Sequence, residues 1–221
     1  MKPIPIFFLP ELVKANFDGQ KIVTRRNNGL EGINQSPDEW IFHSYEINRK
    51  GKFCALFSNR SHPALKQVAV SPFGMTDDTL WVRETWMNLN IDFPDRDPIY
   101  VYKADLLYGN DYGPIKWKPN IHMPKDACRQ FLKVESVRVE RVQDITEEEA
   151  KLEGVTPGKF REGPNVMRGE FQLEIDLNHG SYKDGFQYVI WQLYGRDFWN
   201  ENRWVWRYRY DLTEKPANWP K

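Results

Sequence analysis

Near the end of the chain, bulky rings alternate with other side chains in the order Arg203, Trp204, Val205, Trp206, Arg207, Tyr208, Arg209, Tyr210. A period of two puts successive side chains on opposite faces of a β-strand, so the four rings share one face. Arg203, Val205, Arg207 and Arg209 share the other. A helix would scatter the rings around its circumference. The segment therefore demands a sheet whose interior takes indoles and phenols, and it predicts that the second face meets solvent or a polyanion. Rings make up 14% of the chain against a mean hydropathy of −0.69. Large rings fill a narrow barrel well, but they serve base stacking or protein contact equally well, so abundance alone does not choose.

With 221 residues the chain suits one generous domain, or a compact domain with large insertions. Its 31 basic and 31 acidic residues give zero net charge, so any nucleic-acid surface has to be a local patch. Cys54 and Cys128 are too few for a disulfide framework and too far apart for a zinc knuckle, which points to a reducing cytoplasm. Prolines 3, 5 and 10 break the apolar start, which does not read as a signal peptide. No uncharged run approaches the roughly 18 residues a membrane helix needs, so no membrane partner is expected. His43, His62, His122 and His179 lack metal-ligand spacing, and neither a metal nor a cofactor is expected.

Along the chain, residues 11–19 predict a short helix that starts after Pro10 and stops at Gly19. A β-prone run at 20–26 follows, and Asn27, Asn28 and Gly29 signal a turn. Strands are expected at 52–57, 79–86, 99–103 and 203–210, with helix or loop pieces around 40–45. The alternation over 130–142 predicts two strands or one bent strand at the centre of the sheet. Thr146 and Glu149 match a capping box that opens a short helix ending at Gly154. Residues 157–179 read as loop with a strand at 171–175, and a helix is expected over 184–194. The fold class implied is α+β.

Four segments carry a family resemblance: Gly19, Lys21, Thr24, Arg25 and Arg26 in 19–26; Trp81, Arg83, Glu84 and Trp86 in 78–86; the run 139–146; and Trp204 to Trp206. Together they resemble the ASCH family, in particular its larger phage and prophage members. The resemblance implies a PUA-like mixed β-barrel with flanking helices, of a kind proposed to bind RNA or modified nucleosides. It covers residues 5–26, 72–86, about 129–154 and 184–210, which leaves 27–71 and 87–128 as two large insertions in a single domain 1–221. Some small bacterial relatives are amidohydrolases acting on N4-acetylcytidine through a lysine, a threonine and a glutamate. By matching motifs these fall on Lys21, Thr24 and Glu153.

The chemistry of such a trio can be stated directly. A lysine kept neutral by desolvation or by neighbouring cations takes the threonine proton, and Thr24 attacks an amide carbonyl. Glu153 then orients the lysine, holds a substrate amino group or protonates the leaving group. A glutamate beside Lys21 also favours the charged amine, so the two influences oppose each other. In a regular strand, positions 21 and 24 face opposite sides, and convergence needs a turn or bulge between them. The bland alternative makes Lys21 and Thr24 ordinary strand residues and pairs Glu153 with a local arginine.

For ligand or nucleic-acid binding the candidates are Arg25, Arg26, Arg83, Glu84, Trp86, Trp117 and Arg129, with Tyr112 as another stacking ring and Lys125, Arg203, Arg207 and Arg209 as further cations. Three functions stand open: binding RNA or a modified nucleotide or nucleoside at the barrel mouth, amidohydrolysis of an acylated cytosine nucleoside, and a phage accessory role. The last would dock a phage or host protein through the aromatic loop 105–127.

Overall fold

The computed structural model describes residues 3–90, 92, 95–106, 116–162, 171–217 and 219. In chain order the elements are β1 (Ile4–Phe7), α1 (Pro10–Phe17), β2 (Val23–Arg26), β3 (Trp40–Ile47), β4 (Phe53–Asn59), β5 (Lys66–Val70), β6 (Thr79–Arg83), β7 (Trp86–Asn88) and β8 (Tyr100–Tyr102). Then come β9 (Phe131–Arg141), α2 (Glu147–Leu152), β10 (Gly158–Glu162), β11 (Phe171–Ile175), α3 (Tyr182–Tyr194), α4 (Arg196–Asn200) and β12 (Trp204–Thr213). The fold is mixed α+β, as expected.

The principal sheet has the order β1-β6-β9-β12-β2, with β1 parallel to β6 and the other neighbours antiparallel. The 130–142 alternation forms one strand, β9, at the centre. Its pairing with β12 slips between Arg209 and Tyr210, which face Ser136 and Val134, so Glu135 is the extra residue of a β-bulge. That bulge is the bend the sequence implied. Among the described residues no ladder joins the edges β1 and β2.

Several local expectations change. Residues 40–45 belong to strand β3, whose pairing with β4 outweighs a weak local pattern. The expected strand 79–86 is two strands in different sheets, separated at Glu84 and Thr85. β1, β5, β10 and α4 were not foreseen. Pro5 of β1 sits on a sheet edge, where a missing N–H is tolerated.

Trp206, Tyr208 and Tyr210 are buried in the main core with Ile6, Phe8, Phe57 and Leu132, and Trp204 packs against it. Burying such a side chain stabilises by about 1.5–3 kcal/mol. Trp40, Ala55, Phe57 and Ala69 of the three-stranded sheet β3-β4-β5 join the same cluster. Segment 27–71 therefore supplies core. The other face of β12 corrects the expectation of an open cationic surface. Val205 is fully buried with Phe186 and Ile190 of α3 and with Phe198 and Trp199 of α4. Arg207 is buried beside Glu149. A helical layer covers most of that face, and Arg209 stays half-exposed, paired with Glu135.

Candidate functional site

The site forms where α1 hands over to β2. Gly19 takes a positive φ of 69° and turns the chain. Lys21 then makes an isolated antiparallel bridge with Glu153, and β2 begins only at Val23. This break in the strand supplies the irregularity that lets positions 21 and 24 line the same space. Across from it, α2 ends at Leu152, Glu153 caps it, and Gly154 has a φ of 72°. A Cβ on Gly154 would lie 2.8 Å from Lys21 Cβ and 2.8 Å from Ala15 Cβ, so glycine brings the two segments together.

Lys21 is 2% exposed, and its ammonium donates to Val23 O at 2.7 Å, Glu153 O at 2.9 Å and Glu153 Oε2 at 2.7 Å. All three protons are thus engaged. Burial pushes the Lys21 pKa down; the Glu153 carboxylate opposes the fall, while Arg26 and Arg25 add to it. The other Glu153 oxygen accepts from Arg25 Nη1 at 3.0 Å. The bland reading of Glu153 as an ion-pair partner therefore describes its contacts correctly, and convergence of the trio holds as well.

Thr24 is 3% exposed, and its hydroxyl makes no hydrogen bond with another described residue. Together with Lys21, Arg25, Arg26 and Glu153 it lines a cavity of about 30 Å³. Such a space holds one or two water molecules, since one water needs roughly 10–15 Å³. It does not hold a nucleobase ring. What it admits is a single polar group, such as a carbonyl oxygen or an amine.

Arg25, Arg207 and Arg138 stand opposite one another on β2, β12 and β9 and converge on Glu149. Arg138 Nη2 reaches Glu149 Oε1 at 2.8 Å, Arg207 Nη2 reaches the same oxygen at 3.0 Å, and Arg25 Nη2 takes Oε2. Arg25 Nε also donates to Glu140 Oε1 at 2.6 Å. The capping box is consequently half-formed. Thr146 Oγ1 accepts from the Glu149 N–H at 3.2 Å, but the Glu149 carboxylate serves the arginines. Glu140 and Glu149 are the site residues that sequence reasoning missed. The available signal was Glu149 lying one helical turn before Glu153, on the same face.

The other candidates are placed elsewhere. Arg26 Nη2 donates to Phe7 O at 2.7 Å, and its guanidinium lies 5.0 Å from the Phe8 ring centre. Arg83 sits over Phe7 and Trp81 and donates to the carbonyls of Ile121 and Met123. Glu84 is 1% exposed and accepts two bonds of 2.8 Å from Arg129. Burial raises the Glu84 pKa, and Arg129 offsets only part of that. Arg129 stacks 3.9 Å from the Tyr102 centre and lines a separate hollow of about 370 Å³ with Lys14, Phe17 and Asp105. Trp86 is buried against Tyr100, and Trp117 is half-buried, preceding Lys118, which forms a backbone bridge with Trp86. Of the nominated ligand-binding residues, only Arg25 and Arg26 line the cavity with the trio. Tyr112 and much of the aromatic loop lie outside the described residues.

Among the described residues no group of three His, Cys, Asp or Glu side chains is placed to hold a metal ion. No helix among them is long and apolar enough to cross a membrane. No protein-family model matches the chain, no curated protein is similar to it, and no solved structure is similar to it.

Proposed function

We propose that the chain is a PUA-like domain of ASCH type, with insertions at 27–71 and 87–128, that binds a small modified nucleoside at the cavity of Lys21, Thr24 and Glu153. The observation that carries this reading is the meeting of a buried ammonium, a buried carboxylate and an unpartnered hydroxyl around one small space. Buried polar side chains normally satisfy one another, so the Thr24 hydroxyl, which has no partner among the described residues, and the buried, unpartnered Arg26 Nε are the groups left to meet a guest. The Arg26 bond to Phe7 O supports a barrel-like arrangement, because it links the two edges of the principal sheet.

The guest is a neutral small molecule in preference to an RNA backbone. Arg25, Arg26, Arg83, Arg129, Arg203, Arg207 and Arg209 each bond to a carboxylate or a backbone carbonyl of the chain. Phosphate recognition would have to displace those partners. Calorimetry with cytidine and N4-acetylcytidine tests the reading: binding lost in Lys21→Met supports it, and no heat from either compound at millimolar concentration rejects it.

A second reading, amidohydrolysis, is favoured by one feature, the unpartnered Thr24 hydroxyl close to a lysine whose pKa burial has lowered. After losing its own proton, Lys21 accepts the Thr24 proton and Oγ1 adds to the amide carbonyl. The C–N bond breaks, the amine leaves with that proton, and water hydrolyses the resulting ester. The three hydrogen bonds to Lys21 oppose the first step by favouring the ammonium. Chromatography of an N4-acetylcytidine incubation decides the matter, with release of cytidine required.

A further inference from the structure

A groove of about 300 Å³ lies between α1 and α3, lined by Leu9, Leu12, Val155, Tyr188 and Val189 with Glu11 and Thr156 among the polar residues. Leu12, Val155 and Val189 line the small polar cavity as well. Three apolar side chains thus border both the larger apolar groove and the small space of the polar trio. Resting on the small-ligand reading above, we propose that this groove holds the apolar part of the same ligand. Its polar edge then passes between Leu12, Val155 and Val189 to reach Lys21 and Thr24.

Size decides which part goes where. The inner space of about 30 Å³ takes one carbonyl or amino group, so the rest of the molecule has to stay outside. A cavity of roughly 150 Å³ already encloses benzene, and the groove has twice that volume, enough for a ring with a substituent. Its floor is held close. A Cβ on Gly185 of α3 would come within 2.1 Å of the Thr156 carbonyl oxygen, so this glycine lets the helix backbone lie directly on the 154–156 loop. Leu9, at the rim, is 46% exposed, and an apolar guest would cover it. The part of the ligand held in the groove is therefore a ring or branched apolar group, joined to one carboxamide-like edge that reaches the trio.

The test titrates acetamide, benzamide and N4-acetylcytidine into the full chain and follows amide shifts by NMR. The two simple amides share the polar edge and differ in the ring. Benzamide should bind about ten-fold tighter than acetamide, as burial of roughly 50–60 Å² more apolar surface gives at about 25 cal/mol per Å². Val189→Trp, which fills the groove, should abolish that preference. Leu9→Asp should weaken benzamide several-fold while keeping the fold intact, because aspartate is a favourable N-cap for α1. Equal binding of the two amides, or a preference that survives both variants, overturns the groove assignment. In that case N4-acetylcytidine binding that is lost in Lys21→Met leaves the small-ligand reading standing. If none of the three compounds binds, both fall.

Discussion

Lys21 and Glu153 are joined through both backbone and side chain: their backbones form an isolated antiparallel bridge, and the ammonium meets the carboxylate at 2.7 Å and the Glu153 carbonyl at 2.9 Å. The double link ties the start of β2 to the end of α2 and builds the site into the fold. Truncating one partner leaves the other charge buried and uncompensated, which costs about 3–5 kcal/mol. Glu153→Ala should lower unfolding stability in urea by that amount. The double variant Lys21→Met with Glu153→Leu should lose clearly less than the sum of the two single losses. Additive losses would show that the pair is not coupled.

Glu149 contributes to the acid limb of stability. Burial works against its carboxylate, but Arg25, Arg207 and Arg138 outweigh it and hold the pKa below the ordinary 4.5. A folded pKa below the unfolded one gives stabilisation that is complete above the unfolded value and is lost as pH falls through the folded value. Glu149→Gln should therefore be less stable than the parent at neutral pH and show a shallower loss of stability below about pH 5. Urea midpoints measured from pH 7 to pH 2 check this. Parallel curves for the two proteins would remove Glu149 from the acid response.

The alternation of β12 and β9 was legible because apolar or aromatic residues alternate with charged ones along both strands, and one face of each packs into the core. What covered the second face of β12 was not legible. Arg207 and Arg209 look alike in sequence, yet one is buried by a helix more than a hundred positions from the β2 residues it also meets, and the other stays half-exposed. The same limit applies at the site. Lys21, Thr24 and Glu153 were reached through family motifs, whereas Glu140 and Glu149 act through arginines whose cross-strand register no local pattern encodes. The size of the cavity follows from how closely Gly154 lets two loops approach, a property of tertiary contact alone.

That close approach can be tested at the glycine. Gly154→Ala places a Cβ 2.8 Å from Lys21 Cβ and Ala15 Cβ on a backbone with φ of 72°. Strain of this kind costs about 1–3 kcal/mol. The variant should melt several degrees lower and bind N4-acetylcytidine more weakly. An unchanged melting temperature would mean that the segments separate without penalty.

Ligand binding at a site whose cations are internally paired should depend little on salt. Release of counterions from a phosphate backbone gives a slope of log K against log salt of about −0.7 per contact for single strands. For nucleoside binding here the slope should lie near zero between 50 and 300 mM salt, conditions chosen to span roughly the physiological Debye length of about 8 Å. A steep slope with short RNA oligonucleotides would instead point to a phosphate surface elsewhere on the chain.

Thr24 separates function from architecture most cleanly. Thr24 is a buried residue whose hydroxyl lines the cavity and has no hydrogen-bond partner among the described residues, so no internal hydrogen bond is lost with it. Replacing a buried polar group that lacks a partner with an apolar one of similar shape is close to neutral. Thr24→Val should therefore change unfolding stability by less than about 0.5 kcal/mol, or raise it. A hydrogen bond from that hydroxyl to a guest is worth about 0.5–1.5 kcal/mol, so N4-acetylcytidine affinity should fall about two- to ten-fold. If Thr24 is a nucleophile, any cytidine release should vanish entirely while binding survives. A variant that loses stability but keeps its affinity would identify the hydroxyl as a structural group and take it out of the site.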